Sequence, residues 1–223
     1  MYSSRAIVSP MSAALFEFDR SLGSRYVCGA DEVGCACWAG PLVIAAVRFD
    51  YGRLDAAAEA RLEHLNDSKR VSERRRAMLL PILLELADTA AVVVIPADQI
   101  DREGRHVANV RALASSLAAV ALPGSVNLAD WYQGKEGAAG HRRVEGGDRT
   151  SAAIAAASIV AKETRDRLMR RADLDHPGYG FAIHKGYPTP GHVAAATERG
   201  RLSPLHRRSV HPRAYTGPGP VPA

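Results

Sequence analysis

The chain has 223 residues, of which 47% are hydrophobic and 24% charged, and its formal net charge is +5. That balance supports a packed core and excludes a globally disordered chain, and no apolar run reaches the ~18 residues of a membrane span. The basic excess favours a polyanionic partner such as nucleic acid. In chain order, residues 1–24 read as an N-terminal leader ending in a helical turn, Ala13 to Arg20. They lack the charged-then-apolar order of a signal peptide, so a cytoplasmic location is expected. Tyr26 to Ala30 is apolar and β-compatible and runs into Asp31-Glu32. Gly34, Ala39, Gly40 and Pro41 mark a tight turn. Leu42 to Phe49 is a second strand, expected to pair with the first as a hairpin. Leu54 to Leu65 and Ser72 to Ala87 have helical spacing, with Ser72 as N-cap and Leu79, Leu80, Leu83, Leu84 and Leu86 as the apolar face.

Ala90 to Pro96 reads as a strand, and Ile100 to Ala121 as one helix closed by Gly124. Ser125 to Ala129 is a strand that delivers Asp130. Residues 132–149 are Gly-rich and charged, a loop or ragged strand ending at Asp148. Ser151 to Arg171 is an Ala-rich helix, His176 to Pro190 a long ordered loop, and Pro190 to Arg199 a short helix. The tail 216–223 is expected to be disordered. Strands interleaved with helices argue for an α/β layer, with one domain over residues 25–215. The three cysteines, Cys28, Cys35 and Cys37, cannot all pair within the chain, and a Cys-x-Cys without a second ligand pair is a poor zinc site, so free thiols are expected.

The acidic residues are informative by placement. Asp31 and Glu32 follow one apolar strand, Asp130 follows another, and Asp148 precedes the Ala-rich helix. A single Asp after a strand is usually a turn or helix cap. Several carboxylates converging at strand ends would repel one another unless a divalent cation sat between them, and hard oxygen ligands suit Mg²⁺ or Mn²⁺. Basic residues cluster at Lys69–Arg76, Arg142–Arg149, Lys162–Arg171 and Arg199–Arg213. They would neutralise phosphates if they share a face, and would otherwise be solvated surface.

Gly29-Ala30-Asp31-Glu32-Val33-Gly34, with Ala39-Gly40-Pro41, resembles the opening motif of type-2 ribonuclease H (ribonuclease HII). Further segments match in order: Asp67-Ser68-Lys69, Asp130, Gly147-Asp148, Ile154 to Lys162, Thr164-Arg165-Asp166, His184-Lys185-Gly186-Tyr187 and His206-Arg207-Arg208-Ser209. The match covers roughly residues 25–212. The resemblance implies a ribonuclease H-like fold, with a mixed central sheet, flanking helices and a C-terminal helical part. It implies a catalytic and metal-binding quartet at Asp31, Glu32, Asp130 and Asp148, holding Mg²⁺ or Mn²⁺. It also implies substrate-binding positions at Gly34, Cys35, Ala36, Lys69, Ser158, Lys185 and Tyr187, with Tyr187 stacking on a sugar at the cleavage junction. Asp166, among arginines on a helix, is read as structural.

The sequence departs from that family at the turn after Asp31-Glu32. The usual Gly-Arg-Gly is Gly34-Cys35-Ala36 here, so a fixed fork of donors is gone and a Cβ replaces a glycine hydrogen. Trp38 follows, and Trp131 stands after Asp130 where glycine is usual, so two tryptophans are expected to flank the metal site. The expected function is endonucleolytic hydrolysis of the RNA strand of RNA–DNA hybrids by two-metal catalysis, leaving 3′-hydroxyl and 5′-phosphate ends, with altered recognition of single ribonucleotides. The alternative is a weak or inactive paralogue that binds hybrids. A monomer with nucleic acid as partner and no membrane association is expected.

Overall fold

The computed structural model describes residues 10–130, 140–200, 202–210 and 212–217. They fall into two units. The first takes residues up to Asp31, Ile44–Val93 and Leu113–Glu163; the second takes Glu32–Val43, Val94–Ala112 and Thr164 onward. The strands are β1 (Tyr26–Val33), β2 (Leu42–Asp50), β3 (Thr89–Ile95), β4 (Val126–Asp130) and β5 (Arg142–Val144). They form one mixed sheet in the order β3-β2-β1-β4-β5, in which β1 is parallel to β4 and β4 to β5. The expected α/β architecture with a mixed central sheet is present. β2 is a nearly continuous apolar run because almost every residue in it is buried. β3, at the sheet edge, alternates instead, with Ala90, Val92 and Val94 exposed.

The helices are α1 (Pro10–Ser21), α2 (Ala56–Arg61), α3 (Glu73–Leu86), α4 (Ala97–Glu103), α5 (Arg105–Val120), α6 (Ala152–Asp175), α7 (Phe181–His184) and α8 (Pro190–Glu198). Ser72 caps α3 as its sequence indicates, its Oγ accepting the Arg75 N–H at 3.4 Å. The single helix expected over Ile100 to Ala121 is two, α4 and α5. Gly104 adopts φ 82°, a left-handed conformation that interrupts the helix and that a Cβ would resist. The helical turn expected in the leader is the 12-residue α1. Leu15 and Phe16 on it are buried in the first unit, with the Phe16 ring 6.1 Å from that of Phe49. The helix expected from Leu54 shortens to α2, started by Asp55 accepting the Ala58 N–H at 2.8 Å. The long loop before Pro190 contains α7. Of the segment 132–149, β5 and a 3-10 turn at Gly147–Arg149 are seen; residues 131–139, Trp131 among them, lie outside the described residues, as do residues 218–223 of the tail.

The first unit centres on the start of α6, where Ala152 to Ala157 are completely buried. β1 lies so close to this helix that a Cβ at Gly29 would stand 2.2 Å from the Ala153 carbonyl carbon and the Ile154 nitrogen. Both obstacles are backbone, so no other residue fits. This contact fixes the strand two residues before Asp31.

Candidate active site

In the first unit the parallel register pairs Gly29 with Leu128 and Ala30 with Ala129. The next residue along each strand is Asp31 on β1 and Asp130 on β4. Both therefore stand at the carboxyl ends of neighbouring parallel strands, where open α/β sheets place their ligands. Asp148 is delivered by the 3-10 turn that follows β5 and is 6% exposed. Its carboxyl is pushed up to about 6, first by burial and then by the facing carboxylates of Asp67 and Asp130, with Lys69 opposing. Asp31 is likewise buried, at 8% exposure. Glu32, the adjacent residue on β1, is half-buried and belongs to the second unit.

These are all-oxygen donors, and the mutual repulsion at Asp148 is what a hard divalent cation would relieve, so the donor chemistry fits Mg²⁺ or Mn²⁺. As they stand, no three His, Cys, Asp or Glu side chains among the described residues close on a common point. Asp130 Oδ1 accepts the Gly147 N–H at 2.7 Å.

Asp67 is a carboxylate that the sequence pattern alone does not assign to the site. It sits in the matched Asp67-Ser68-Lys69 segment, where it reads locally as a turn residue, and it does make that turn by accepting the Lys69 N–H at 2.9 Å. Its hydrogen bond to Asp148 joins residues far apart in sequence. The turn is held from beneath. Arg76 donates to the carbonyls of Ser68 (3.0 Å) and Val71 (2.7 Å) and pairs with Glu163 at 3.1 Å. Ser158 donates to Ser68 Oγ at 2.8 Å and is 3% exposed, so this expected substrate contact acts as a brace for the turn. Lys69 is exposed beside it. Arg76→Leu should leave Glu163 as an uncompensated buried charge and release the turn, costing about 3–5 kcal/mol. Urea unfolding of the variant checks this, and a loss under about 1 kcal/mol would show that the brace is dispensable.

The second unit holds the Gly34-Cys35-Ala36 turn. Gly34 has φ 90°, and a Cβ there would meet Arg165 Nε at 2.2 Å. Arg165 and Arg207 are completely buried. Arg165 donates to the carbonyls of Pro41 (2.9 Å), Lys185 (2.7 Å) and Ala39 (3.1 Å). Arg207 donates to Gly40 O through Nε (3.1 Å) and Nη2 (2.9 Å) and to Cys35 O through Nη1 (3.0 Å). Burial and the nearby Arg165 pull the Arg207 guanidinium down to about 10. Two cations thus gather the turn's carbonyls around themselves. Cys35 is half-exposed and Ala36 exposed, while Cys28 and Cys37 are buried; all three cysteines remain thiols outside any disulfide, as expected.

The loop bearing Lys185 and Tyr187 is locked to the same turn. Gly186 O accepts the N–H groups of Trp38 (2.9 Å) and Ala39 (3.1 Å). Lys185 adopts φ 50°, and Tyr187 is half-buried with the Arg165 guanidinium 5.9 Å from its ring. Beneath it runs a chain of hydrogen bonds whose direction is forced. Tyr187 O only accepts, so His192 Nδ1 donates to it (2.8 Å). His192 Nε2 is then bare and accepts from His206 Nε2 (3.0 Å), whose own Nδ1 accepts from Ser203 N–H (3.0 Å). Both rings are therefore neutral.

Trp38 was expected beside the metal. It is fully buried, stacked among His192 (4.7 Å), His206 (4.6 Å) and Tyr215 (5.0 Å), with Val193, Ala196 and Leu202 around it. The indole's large apolar area makes it a core residue of the second unit rather than a substrate contact. Asp166 is buried.

A mixed sheet flanked by helices, with carboxylates at the ends of its central parallel strands, defines an α/β protein of the ribonuclease H-like fold. Ribonuclease H2 from Pyrococcus horikoshii matches this structure with a TM-score of 0.68 at 22% identity, over 83% of this chain and 93% of that one. A ribonuclease HIII solved in complex with Mn²⁺ matches with a TM-score of 0.64 at 20% identity, over 88% and 67%. The sequence carries the comparison further. The family model "Ribonuclease HII" matches residues 28–211. Ribonuclease HII of Mycobacterium avium is 44% identical over 183 residues, 82% of this chain and 77% of that protein. The Mycobacterium tuberculosis protein of the same name shows the same identity, over 82% and 67%. The chain belongs to the ribonuclease HII family, and is a metal-dependent nuclease that hydrolyses phosphodiester bonds.

Proposed function

We propose that the chain cuts the RNA strand of RNA–DNA hybrids, leaving 3′-hydroxyl and 5′-phosphate ends, and that it reads single ribonucleotides in DNA poorly. The observation that carries the first half is the approach of Asp130 and Asp67 to a buried Asp148 at the strand ends, on a chain whose family supports endoribonuclease activity on such hybrids. Asp31, Glu32, Asp130 and Asp148 are the residues that would hold Mg²⁺ or Mn²⁺. Bound there, such ions activate water and stabilise the leaving oxygen. Lys69 lies on the exposed side of its turn, suited to a backbone phosphate. Tyr187 offers a half-buried ring to a sugar, and its backbone is held by the His192 bond.

The second half follows from the turn. A single ribonucleotide offers one 2′-hydroxyl, so its recognition leans on the junction-reading loop. A continuous hybrid offers many, and an A-like shape besides. Cys35 and Ala36 remove a guanidinium and a glycine from that loop. A charge-assisted hydrogen bond is worth on the order of 1.5–3 kcal/mol, about ten- to a hundredfold. Continuous hybrids should therefore be cut with kcat/KM higher by about that factor than duplex DNA carrying one ribonucleotide. Cys35→Arg with Ala36→Gly should narrow the gap, since the buried Trp38 does not obstruct the turn. Equal efficiency on both substrates in the unmodified protein would refute the loop argument. A protein that binds the hybrid but leaves it uncut at saturating Mg²⁺ would be the inactive paralogue instead.

A further inference from the structure

We infer that Arg105 is a further substrate-reading residue, a guanidinium that takes a backbone phosphate of the nucleic acid beside the Gly34–Ala36 turn. The inference rests on the hybrid-cutting reading above and adds to it a residue outside every matched motif and basic cluster.

The turn has lost its own cation, and the two arginines nearest to it face inward. Arg165 and Arg207 are completely buried and hold main-chain carbonyls of residues 35 and 39–41, and of Lys185. Arg105 is different. It is exposed and opens α5 directly after α4, whose Asp101 accepts the N–H groups of Arg208 (2.7 Å) and Ser209 (3.0 Å), the residues that follow Arg207, all within the second unit. Its neighbours in sequence are neutralised locally: Arg102 pairs with Asp98 at 2.6 Å and Arg111 with Glu103 at 2.7 Å. Arg105 makes no such ion pair among the described residues. An exposed guanidinium beside the segment of the buried Arg207, with no ion-pair partner among the described residues, favours an anion in front of it.

A phosphodiester oxygen pair fits the planar fork of a guanidinium, and the opening N–H groups of a 16-residue helix add positive potential at the same place. The cation that this family carries on the turn is, in this chain, supplied from α5. A phosphate contact gives affinity and register without reading the 2′-hydroxyl, which accords with the weaker single-ribonucleotide recognition proposed above.

The test is anisotropy titration of a labelled 20-base-pair RNA–DNA hybrid in EDTA across a series of salt concentrations. Arg105→Gln, Arg105→Lys and the ion-paired control Arg102→Gln are compared with the unmodified protein. Arg105→Gln should reduce the slope of log K against log salt by about 0.9, one phosphate contact. With Mg²⁺ its KM should rise several-fold, with kcat retained. Arg105→Lys should restore the slope, because it keeps the charge. An unchanged slope in Arg105→Gln, or an equal loss in Arg102→Gln, would overturn the assignment while leaving the hybrid reading intact. If the unmodified protein neither binds nor cuts the hybrid, the hybrid reading itself has failed and this inference falls with it.

Discussion

Asp31→Asn and Asp130→Asn should each lower hybrid cleavage by roughly a thousandfold or more, about 4 kcal/mol of transition-state stabilisation at 1.36 kcal/mol per tenfold, while hybrid binding changes little. Each substitution keeps the side chain's shape and removes a charge at the end of a central strand. The two positions are successors of the Ala30–Ala129 pair in the parallel register, so neither can be replaced by a neighbour without moving the sheet. Asn at position 130 can still accept the Gly147 N–H through its amide oxygen, so the fold should tolerate the change. The measurement is single-turnover cleavage beside anisotropy binding in EDTA. Retention of normal turnover by either variant at saturating Mg²⁺ would remove that residue from the catalytic set.

The second large effect is on stability in acid. Burial pulls His192 down to about 3 and His206 to about 4, against an ordinary 6.5, and pulls down His184, stacked on His192 at 3.9 Å. Groups with depressed folded values bind fewer protons in the folded state than in the unfolded one. Their stability is full above about pH 7 and is lost as pH falls from 6.5 towards the folded values. At pH 5 the loss is about 2 kcal/mol for each of His192 and His206. Asp19 and Asp148, each pushed up to about 6, act with the opposite sign and gain stability as pH falls.

A comparison that cancels the carboxyl contributions is therefore required. In a Trp131→Phe background, the fluorescence of the buried Trp38 reports on the second unit, where its ring touches both histidines. His206→Gln keeps a donor for His192 Nε2 and removes one titration. Urea midpoints should converge between the two proteins from pH 8 to pH 5 by about 2 kcal/mol in unfolding free energy. Parallel losses over that range would show that His206 does not titrate against folding.

Much of the site is legible in the amino-acid sequence. Asp31, Glu32 and Asp130 stand at the ends of apolar runs, and such runs become strands because alternating or continuous apolar side chains suit a pleated, covered surface. Asp148 precedes an Ala-rich stretch whose composition suits a buried helix, and Ser72 marks the start of α3. These are short-range properties: backbone sterics, periodicity and capping act over a few residues, so a linear sequence displays them. The break at Gly104 lies at the limit of that range, because a glycine within a helical pattern is often tolerated and only its φ of 82° decides.

What the tertiary structure alone decided are contacts between residues distant in sequence. Asp67 reads as a turn residue until the fold presents it to Asp148. Ser158 becomes a brace through Ser68, Trp38 a core residue through three rings from the C-terminal part, and α4 a neighbour of the residues after Arg207 through Asp101. Local propensity says nothing of these partners. They are fixed by sheet register and by helix packing at distances as close as that of Gly29 to Ala153, and both depend on the whole chain at once.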